Sequence, residues 1–425
     1  MAIYLSLGSN LGDRRQNLER ALTELMGRGV SIARVSPVVE SPALLPPDAL
    51  ADWNRPFLNL AAECHSSLSP SALLGTIKTI ERELGRDDPR HWAPRPIDID
   101  ILIYDDAVID TAELRIPHAS LAERAFVLTP LVALAPGLKL PKHGKTTLQL
   151  DRALNRRIPL WMGIINLTPD SFSDGGQFTN WDKVESQIDL MRSAGVHMLD
   201  FGAESTRPGA VALTPEDEWR RLEPMLAQTK EKFTGQWLRP LLSVDTYHAD
   251  VARQALDYGV DIINDVSGLE DSAMLEVAAS SSCDLVAMHN LGLPADRNRT
   301  LDPQSSATEQ VEAWLDRQLE NWQSNGIDLS RVIFDPGIGF GKTPLQSLEL
   351  LRDVDRFAAA GLRILIGHSR KSFMQGFAGD SNYTRDLATV GTSLALLDRC
   401  VDILRVHDVG MHAQAYRGWA HAQNA

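Results

Sequence analysis

The sequence predicts two domains, an α+β ferredoxin-like sandwich followed by a (β/α)8 TIM barrel. From about residue 160 onward, eight short apolar runs alternate with helical patterns, and each run ends in a polar residue. Before about residue 142, the elements follow the order strand, helix, strand, strand, helix, strand. Apolar strands that alternate with helices indicate a parallel sheet covered on both faces, and eight such units in about 265 residues fit a closed barrel.

The eight apolar runs define the predicted barrel. The polar residues at their carboxyl ends are Asn166, Asp200, Asp245, Asn264 with Asp265, His289, Asp335, Ser369 with Lys371, and Arg405 with His407. In a closed parallel barrel the carboxyl ends of all strands lie on one rim, where catalytic groups are presented. A doubly wound open sheet is the alternative, but that fold would not explain polar groups at all eight strand ends.

The first part of the chain is predicted to form a smaller unit with its own core. Its expected elements are a strand over 3–7, a helix from near Asp13, β-type runs at 30–36 and 57–66, a helix from Ser69 to about Leu84, a strand over 97–104 and a short closing element over 126–135. Such a series is typical of an α+β sandwich. A polar, basic stretch follows, which gives the expected boundaries: first domain 1–142, linker 143–157 and barrel domain 158–425.

Composition limits the class of protein and its partners. The formal net charge of −14 argues against a general nucleic-acid or membrane surface, because both require a basic footprint. Any phosphate must therefore be bound by local clusters of Arg and Lys. The three cysteines, Cys64, Cys283 and Cys400, lack metal-ligand spacing and predict a reducing, cytoplasmic environment. We find no apolar stretch of about 18 residues and no signal-peptide pattern, so we expect neither a membrane span nor secretion.

The stretch GRDDPRHWAPRPIDIDILIYDD, at residues 85–106, concentrates charge of both signs. Side chains two apart in a strand point to the same face, so Asp98 and Asp100 project together. Neighbouring carboxylates need a cation between them, and hard oxygen ligands suit Mg²⁺ bound together with phosphates. The preceding loop supplies donors for phosphate oxygens from Arg86, Arg90, His91 and Arg95. The alternative is an edge strand with exposed carboxylates and a solvated basic loop.

The most informative stretch is MGIINLTPDSFSDGG, at residues 162–176. An apolar run stops at Asn166 and opens into a loop crowded with small hydroxyl, carboxylate and glycine residues. A loop of this kind after a parallel strand is how a barrel presents catalytic groups at its carboxyl-end rim. A plain strand and turn is the alternative, yet it would not require so many polar side chains.

These stretches resemble two enzyme families of folate biosynthesis. The first domain resembles 6-hydroxymethyl-7,8-dihydropterin pyrophosphokinase in LGSNLGDRRQNL (7–18), FLN (57–59), ELGR (83–86), HWAPRPIDIDILI (91–103) and IPH (116–118). The second is similar to dihydropteroate synthase in MGIINLTPDSFSDGG (162–176), DFGAESTRPGA (200–210), SVDTY (243–247), INDVSG (263–268), FDPGIGFGK (334–342), GHSRKS (367–372) and LRVHDV (404–409). The order of the two domains is that of the fused pyrophosphokinase–synthase.

The resemblance implies a role for each cluster in the first domain. Asp98 and Asp100 would hold two Mg²⁺ that bridge the phosphates of the co-substrate ATP, so that the pterin hydroxymethyl oxygen attacks the β-phosphorus. Arg86 and Arg95 would neutralise developing charge and bind the nucleotide. ATP binding would be shared with Trp92, His118 and Arg124. Pterin binding is implied for Ser41, Pro42, Phe57, Asn59, Glu81 and Phe126.

In the second domain the resemblance assigns the rim residues to two substrates and an anion. The pterin ring would pair with Asp245, Asn264, Asp335 and Lys371. The pyrophosphate would be held by Asn166, Arg405 and His407, with one Mg²⁺ on Asn166. The second substrate, p-aminobenzoate, would lie near Thr206, Arg207, Pro208, Phe340, Lys371 and Ser372. Loss of pyrophosphate would produce a cationic pterin methylene that the aniline nitrogen traps, and Lys371, Arg405 and His407 are the implied catalytic residues. Sulfonamides, which mimic p-aminobenzoate, would inhibit this step.

Three residues depart from the family patterns, namely His91, Ala119 and Ala203. The first two bear on how ATP is bound, and the third on the flexibility of its loop. A pterin-binding methyltransferase barrel is one rival interpretation, but it should lack the SFSDGG and STRPGA loops. A non-catalytic scaffold is another, but it should have lost Asp98, Asp100, Lys371 or Arg405. We therefore predict a bifunctional enzyme that acts on small molecules, and a homodimer through the barrel domain stays an open alternative.

Overall fold

The structure is a computed structural model that describes residues 2–86, 90, 92–141, 143–154, 158–168, 180–204, 212–296 and 298–424. Contacts divide the chain into two compact units. The first unit comprises Met1–Ile158 with Gln236–Arg239 and Ala420–Ala425, and the second comprises Pro159–Gly235 and Pro240–Trp419. The predicted fold classes are confirmed, because the first unit is an α+β structure and the second is a parallel barrel.

A mostly antiparallel sheet forms the centre of the first unit. Its strands are Ile3–Ser9 (β1), Val30–Val35 (β2), Val39–Ser41 (β3), Phe57–Ser66 (β4) and Asp98–Tyr104 (β5). They follow the order β2–β4–β1–β5, and β3 pairs with β4 outside this path. A two-stranded ribbon of Ile109–Asp110 (β6) and Arg115–Ile116 (β7) follows β5. The central strand β1 is buried along its whole length, so its side chains on both faces need cover.

Helices cover both faces of this sheet, and they are Arg14–Gly27 (α1), Pro70–Glu83 (α2), Ala125–Leu134 (α3) and Thr147–Arg152 (α4). Asp13 and Ser69 accept hydrogen bonds from first-turn N–H groups, which starts α1 and α2 where the sequence predicts. Leu5 and Leu7 belong to the core formed with α1 and α2. Tyr4, on the other face of β1, belongs to a separate core formed with α3.

Strand β3 and the ribbon β6–β7 were not predicted from the sequence, and two further segments take a form that it did not specify. Residues 126–135, expected to be a short closing element, belong largely to α3. Within the expected linker, residues 147–152 form α4, which begins with a capping box between Thr146 and Gln149. Thr129 of α3 donates to Asp151 of α4 at 3.3 Å. Helix α4 therefore packs with α3, and the division by contacts places it in the first unit.

The second unit is a closed barrel. Its strands are Leu160–Asn166 (β8), Met198–Gly202 (β9), Leu241–Asp245 (β10), Ile262–Asp265 (β11), Asp284–Met288 (β12), Val332–Asp335 (β13), Arg363–Ile366 (β14) and Ile403–Val406 (β15). Among the described residues these eight strands pair in parallel in chain order, and β15 closes onto β8. Parallel pairing puts all the predicted polar strand ends on one rim.

The described helices of the barrel unit surround these strands. They are Trp181–Ala194 (α5), Pro215–Phe233 (α6), Ala249–Asp257 (α7), Ser272–Ser280 (α8), Ala307–Ser324 (α9), Pro344–Arg352 (α10), Asn382–Leu396 (α11) and Val409–Asn424 (α12). The core between strands and helices contains the large buried side chains Phe201, Trp322, Phe334 and Phe357. Across the described parts of the chain, no helix combines the length and apolar character needed to cross a membrane.

Candidate active sites

The first candidate site lies on one face of the sheet in the first unit. In the strand register Gly8 is flanked by Asn59 of β4 and Asp98 of β5, while Ser6 stands opposite Asp100. Cross-strand neighbours share a face of the sheet. Glycine suits this position, because a Cβ there would lie only 3.0 Å from the side-chain oxygen of Asn59. The residues of β1 opposite the two carboxylates are the small Gly8 and Ser6. This face of the sheet therefore leaves room for a ligand beside Asp98 and Asp100.

Asp98 and Asp100 differ in their charged partners. Asp98 accepts hydrogen bonds from Arg86 at 2.6 Å and from Arg95 at 3.3 Å. Burial would raise the pKa of Asp98, but Arg95 and Arg86 outweigh it and lower the pKa. Asp100 lies 3.9 Å from His118, and its pKa is raised by burial and by the charge of Asp98. An added cation would therefore stabilise Asp100 most, and paired carboxylates are the oxygen donors that suit Mg²⁺.

Glu81 of α2 contacts the charged groups around Asp98. It is buried and accepts hydrogen bonds from the backbone N–H of Ile99 at 2.9 Å and from Lys78 at 2.8 Å. It also accepts from Arg86, so that this arginine lies between two carboxylates. The side-chain contacts described for Glu81 are thus with Lys78, Arg86 and the backbone of Ile99, whereas the resemblance implies a contact with the pterin.

Four residues expected to bind the pterin lie together at one edge of the sheet. Asn59 donates from its amide to Ser41 Oγ at 3.0 Å, and both side chains are buried. Phe57 stands opposite Ser41 in the β3–β4 register, and Pro42 follows Ser41 directly. The buried amide and the aromatic ring offer polar and apolar surface side by side, which is what a heteroaromatic ligand requires.

The remaining candidates of the first site lie on the segments around β5 and α3. The guanidinium carbon of Arg124 is 5.8 Å from the ring centroid of Phe126, at the start of α3. Trp92 is 37% exposed, so its indole is accessible to a ligand. His118 lies near Asp100 as described above, and His91 lies outside the described residues.

Asn10 is a residue of this site that sequence reasoning did not single out. Its side-chain oxygen accepts a hydrogen bond from the backbone N–H of Arg95 at 2.8 Å, and its own N–H donates to the carbonyl of Arg95 at 3.2 Å. Asn10 is buried, and these two bonds fix the backbone of the residue whose guanidinium reaches Asp98. The signal was present in the LGSN motif, where a polar amide directly follows a buried strand.

The second candidate site lies at the carboxyl-end rim of the barrel, around Asp200 of β9. This fully buried carboxylate accepts hydrogen bonds from Ser243 Oγ at 2.6 Å, Asn264 Nδ2 at 3.1 Å and Arg405 Nε at 2.6 Å. The three donors come from three other strands, so Asp200 fixes their relative positions. A buried carboxylate is stable only with such donors. The sequence marked Asp200 as a strand-end residue but did not include it among the site residues.

Arg405 joins two carboxylates of this rim. Its Nη2 donates to Asp245 Oδ2 at 2.7 Å, while its Nε contacts Asp200. Burial opposes the charge of Arg405, but Asp200 and Asp245 outweigh burial and raise its pKa. Burial raises the pKa of Asp245 to about 7, against the opposing charge of Arg405 and with a further contribution from Asp200. Asp245 therefore titrates near neutral pH while Arg405 stays charged.

Lys371 lies against the loop that follows β13. Its Nζ donates to the carbonyl of Ile338 at 2.7 Å and lies 4.2 Å from the ring centroid of Phe340. Burial lowers the pKa of Lys371 to about 8, and Asp335 opposes this effect. Asp335 accepts a hydrogen bond from the N–H of Gly337 at 2.7 Å, and burial raises its pKa. The structure thus brings together Asp335, Phe340 and Lys371, as the resemblance implies.

The other rim candidates lie at strand ends or outside the described residues. His407 Nδ1 lies 2.9 Å from Ser369 Oγ, Asn166 ends β8 opposite Gly202, and Ser372 follows Lys371 directly. Asn166 offers one amide oxygen, so a metal bound there would need further oxygen ligands from a bound phosphate. The residues expected from the loops after β8 and β9 lie outside the described part of the chain, namely Thr206, Arg207, Pro208 and the loop over 169–179.

The two arrangements suit different chemistry. The first combines paired carboxylates with guanidinium groups, which suits a metal ion and a polyphosphate. The rim combines acceptors for amide and amino groups, from Asp245 and the buried Asp335, with cations for an anionic group, from Lys371 and Arg405. Such a rim can orient a polar heterocycle and stabilise a departing anion.

Two family models match the chain, one in each unit. The model described as 7,8-dihydro-6-hydroxymethylpterin-pyrophosphokinase (HPPK) matches residues 4–136. The model described as pterin binding enzyme matches residues 162–407, which is more than half of the chain. The second match covers every strand of the barrel except the first two residues of β8.

Relatives match over nearly the whole chain. The folate synthesis bifunctional protein of Chlamydia caviae is 36% identical over 425 residues, which cover 96% of this chain and 95% of that protein. The mitochondrial folate synthesis bifunctional protein of Arabidopsis thaliana is 35% identical over 458 residues, which cover 97% of this chain and 81% of that protein. The match therefore includes both units and their order.

Solved structures match the barrel unit. The dihydropteroate synthase of Xanthomonas albilineans, solved with 4-aminobenzoic acid, is 32% identical with a TM-score of 0.56, covering 63% of this chain and 94% of that one. The enzyme of Yersinia pestis, solved with a sulfonamide drug, is 31% identical with a TM-score of 0.55, again covering 63% of this chain and 94% of that one. The chain therefore belongs to the bifunctional folate-synthesis proteins, in which a hydroxymethyldihydropterin pyrophosphokinase precedes a dihydropteroate synthase.

Proposed function

We propose that the chain catalyses two consecutive reactions, each at one of the two sites. In the first, the hydroxymethyl oxygen of 6-hydroxymethyl-7,8-dihydropterin attacks the β-phosphorus of ATP, and AMP leaves. In the second, the carbon–oxygen bond to the new pyrophosphate breaks, and the aniline nitrogen of p-aminobenzoate bonds to the pterin methylene and loses a proton. The products are 7,8-dihydropteroate and pyrophosphate. The observation that carries this proposal is that each unit holds its own cluster of hydrogen-bonded carboxylates and cations.

In the first reaction we assign the metal and phosphate contacts to the strand β5 and its preceding loop. Asp98 and Asp100 would hold two Mg²⁺, which supply charge neutralisation at the phosphates when bound. Arg86 and Arg95, which bond to Asp98, would gain phosphate oxygens as new acceptors and neutralise the charge that develops on AMP. Further nucleotide contacts come from Trp92, His118 and Arg124.

The pterin of the first reaction fits the edge formed by β3 and β4. Asn59 and Ser41 present a hydrogen-bonded polar pair, and Phe57 beside them can stack on a flat ring. Phe126 at the start of α3 is the second aromatic candidate. Glu81 acts in this proposal by holding Arg86, because that is the contact the structure gives it.

In the second reaction the rim of the barrel binds the pterin and stabilises the leaving group. Asp245, Asn264 and Asp335 pair with the amino and amide groups of the ring, because all three offer oxygen acceptors at the rim and Asn264 and Asp335 are buried. Arg405 and His407, with one Mg²⁺ on Asn166, would bind the departing pyrophosphate. Stabilising that anion lowers the barrier to breaking the carbon–oxygen bond.

The p-aminobenzoate binds between Phe340, Lys371 and Ser372, with Thr206, Arg207 and Pro208 from the loop after β9. The Lys371 ammonium above the Phe340 ring offers a cation for the carboxylate and a flat apolar surface for the aromatic ring. Sulfonamides carry a similar aniline and an acidic group, and a sulfonamide complex is known for the related Yersinia pestis enzyme. We infer that they bind the same site of this chain.

The proposal includes the division into residues 1–142, 143–157 and 158–425, a cytoplasmic location and small-molecule substrates. A homodimer through the barrel domain stays an open alternative. The cytoplasmic location rests on the three cysteines, and one related protein of Arabidopsis thaliana is named as mitochondrial.

The test is an assay of the purified chain with Mg²⁺, ATP, 6-hydroxymethyl-7,8-dihydropterin and p-aminobenzoate. We expect one AMP and one pyrophosphate for each dihydropteroate formed. Omission of ATP should stop the reaction, and addition of chemically prepared pterin pyrophosphate should restore it. Folded protein that forms no dihydropteroate from the pyrophosphate would overturn the synthase assignment.

A further inference from the structure

Lys342 is a buried lysine for which the reactions described above have no use. It is 8% exposed and follows the loop after β13. Its Nζ lies 2.7 Å from His289 Nδ1, 3.1 Å from the carbonyl oxygen of His289 and 2.9 Å from the carbonyl oxygen of Phe340. Three polar partners around one nitrogen satisfy its hydrogen-bonding capacity, as a buried amine requires.

The three contacts of Lys342 Nζ can all be hydrogen bonds whether Lys342 is charged or neutral. A charged Lys342 has three donor hydrogens for the two carbonyls and an acceptor Nδ1 on His289. A neutral Lys342 donates to the two carbonyls and accepts a hydrogen from His289. Burial lowers the pKa of His289 to about 2, and the charge of Lys342 contributes to the same effect. The imidazole is therefore neutral in both cases. The pair therefore acts as a fixed hydrogen-bonded connection at ordinary pH.

The connection joins two different loops of the rim. His289 follows β12, and its N–H donates to the carbonyl of Asp335 at the end of β13. The neighbouring Gly337 has a φ of +68°, and a Cβ there would lie 1.9 Å from the carbonyl oxygen of His289 and 3.1 Å from the Nζ of Lys342. The loop after β13 thus packs directly on the segment after β12, and Lys342 holds the two together.

The same loop carries both contacts of Lys371. Lys371 donates to the carbonyl of Ile338, and its ammonium lies over the Phe340 ring. Lys342 holds the carbonyl of Phe340, so the two lysines bind the loop from two sides. Loss of Lys342 would remove the hydrogen-bond donor to the carbonyl groups of His289 and Phe340. The loop would then have to move for these carbonyl groups to find another donor.

We propose that Lys342 and His289 are positioning residues for the synthase reaction, which place Phe340 and Lys371 to receive p-aminobenzoate. This inference rests on the proposed function, since it assumes that the aromatic substrate binds beside Phe340. The pair acts through the loop and does not touch the substrate. It is separate from the Asp200–Arg405–Asp245 network, which has its own contacts. Disturbing it should therefore affect one substrate more than the other.

The test uses the full chain with chemically prepared pterin pyrophosphate and p-aminobenzoate, and three variants. Lys342→Met removes the donor at nearly constant volume. His289→Leu removes the acceptor, whereas His289→Asn retains an oxygen near the place of Nδ1 and is the matched control. We expect Lys342→Met and His289→Leu to raise the KM for p-aminobenzoate about tenfold, with the KM for pterin pyrophosphate within about twofold of the wild type. His289→Asn should stay close to the wild type.

Two results would overturn the inference. One is unchanged KM for p-aminobenzoate in both Lys342→Met and His289→Leu. The other is an equal change in both KM values, which would show a general loss of barrel structure. If Lys342→Met does not fold, the contrast between His289→Leu and His289→Asn decides the matter. A wild-type chain that makes no dihydropteroate in this assay would contradict the proposed function instead.

Discussion

The two sites of this chain balance buried charge in different ways. In the first unit, both carboxylates lie on one strand, and their side chains are 29% and 33% exposed for Asp98 and Asp100. In the barrel, Asp200, Asp245 and Arg405 come from three strands, and Asp200 is completely buried. Asp100 has a histidine 3.9 Å away as its described ionic partner, whereas Asp200 and Asp245 each bond directly to Arg405.

This difference indicates which solution conditions, divalent metal or pH, each reaction should depend on. The first site leaves Asp100 with a raised pKa until a cation arrives, so its activity should depend on divalent metal. The rim carries its own cation, so its activity should depend on the integrity of the ion network and on pH. Substitutions at each site, changes of pH and added pyrophosphate should therefore affect the two reactions differently.

Removing a carboxylate from β5 should have the largest effect. Asp98→Ala or Asp100→Ala should lower the pyrophosphokinase rate by about a thousandfold or more, because the proposed metal site is lost. The synthase rate of the same variants, measured with supplied pterin pyrophosphate, should stay within about twofold of the wild type, because separate domains behave independently. A parallel collapse of the synthase rate would contradict the separation of the two sites.

Removing the rim cation should affect the other reaction. Arg405→Met leaves Asp200 and Asp245 without their shared partner, so the synthase kcat/KM should fall about a hundredfold to a thousandfold. The barrel should also lose about 3–5 kcal/mol of unfolding free energy, because the fully buried Asp200 and the partly buried Asp245 lose their cation. The pyrophosphokinase rate should not change.

Arg363→Met is the matched control for the rim cation. Arg363 is buried at the start of β14, at the amino end of the barrel, and pairs with Asp284 at 2.8 Å. Its loss should lower unfolding free energy in denaturant titrations but leave synthase kinetics near the wild type, since the chemistry lies at the opposite rim. Equal kinetic losses in the two variants would show that Arg405 serves stability alone.

The synthase reaction should have a narrow pH optimum. Asp245, with a pKa of about 7, loses its charge as the pH falls through that value. Lys371, with a pKa of about 8, loses its charge as the pH rises through that value. If both charged forms are needed, kcat/KM should peak between about 7 and 8 and fall by up to about tenfold per pH unit on each side. Asp245→Asn should remove the acidic limb of the profile, and a profile that keeps this limb would assign it to another group.

The smallest expected effect concerns the order of binding. Pyrophosphate should draw the cations of the rim, and the predicted Arg207, towards the anion and complete the second pocket. Sulfonamide should therefore bind the full chain about tenfold more tightly when pyrophosphate is present. Calorimetric titration with and without pyrophosphate measures this ratio, and equal affinities would mean that the pocket is already formed.

Local patterns predicted most of the fold. Each barrel strand was visible as an apolar run that ends in a polar residue, and Asp13 and Ser69 marked the starts of two helices. The helix at residues 147–152 was not predicted, because a short polar segment gives little periodicity and its position depends on packing against α3. Helix propensity alone does not determine whether so short a segment forms a helix.

The sites were less predictable than the strands, because their contacts join distant parts of the chain. Asp200 and Arg405 are 205 positions apart, and nothing in either local sequence indicates that they bond. The placement of Glu81 with Arg86 likewise depends on how α2 packs on β5. Motifs therefore indicated which residues carry chemistry, and packing decided which of them are joined.

The most direct test of two self-sufficient sites is complementation between two impaired full-length variants. Asp100→Ala should be severely impaired in the kinase reaction and Arg405→Met in the synthase reaction, so either variant alone should make dihydropteroate from ATP, hydroxymethyldihydropterin and p-aminobenzoate far more slowly than the wild type. Mixed in one solution, they should make it faster than either alone, because the pterin pyrophosphate released by one variant is used by the other. A mixture that stays as slow as the single variants, although each variant performs its remaining half-reaction, would contradict the account.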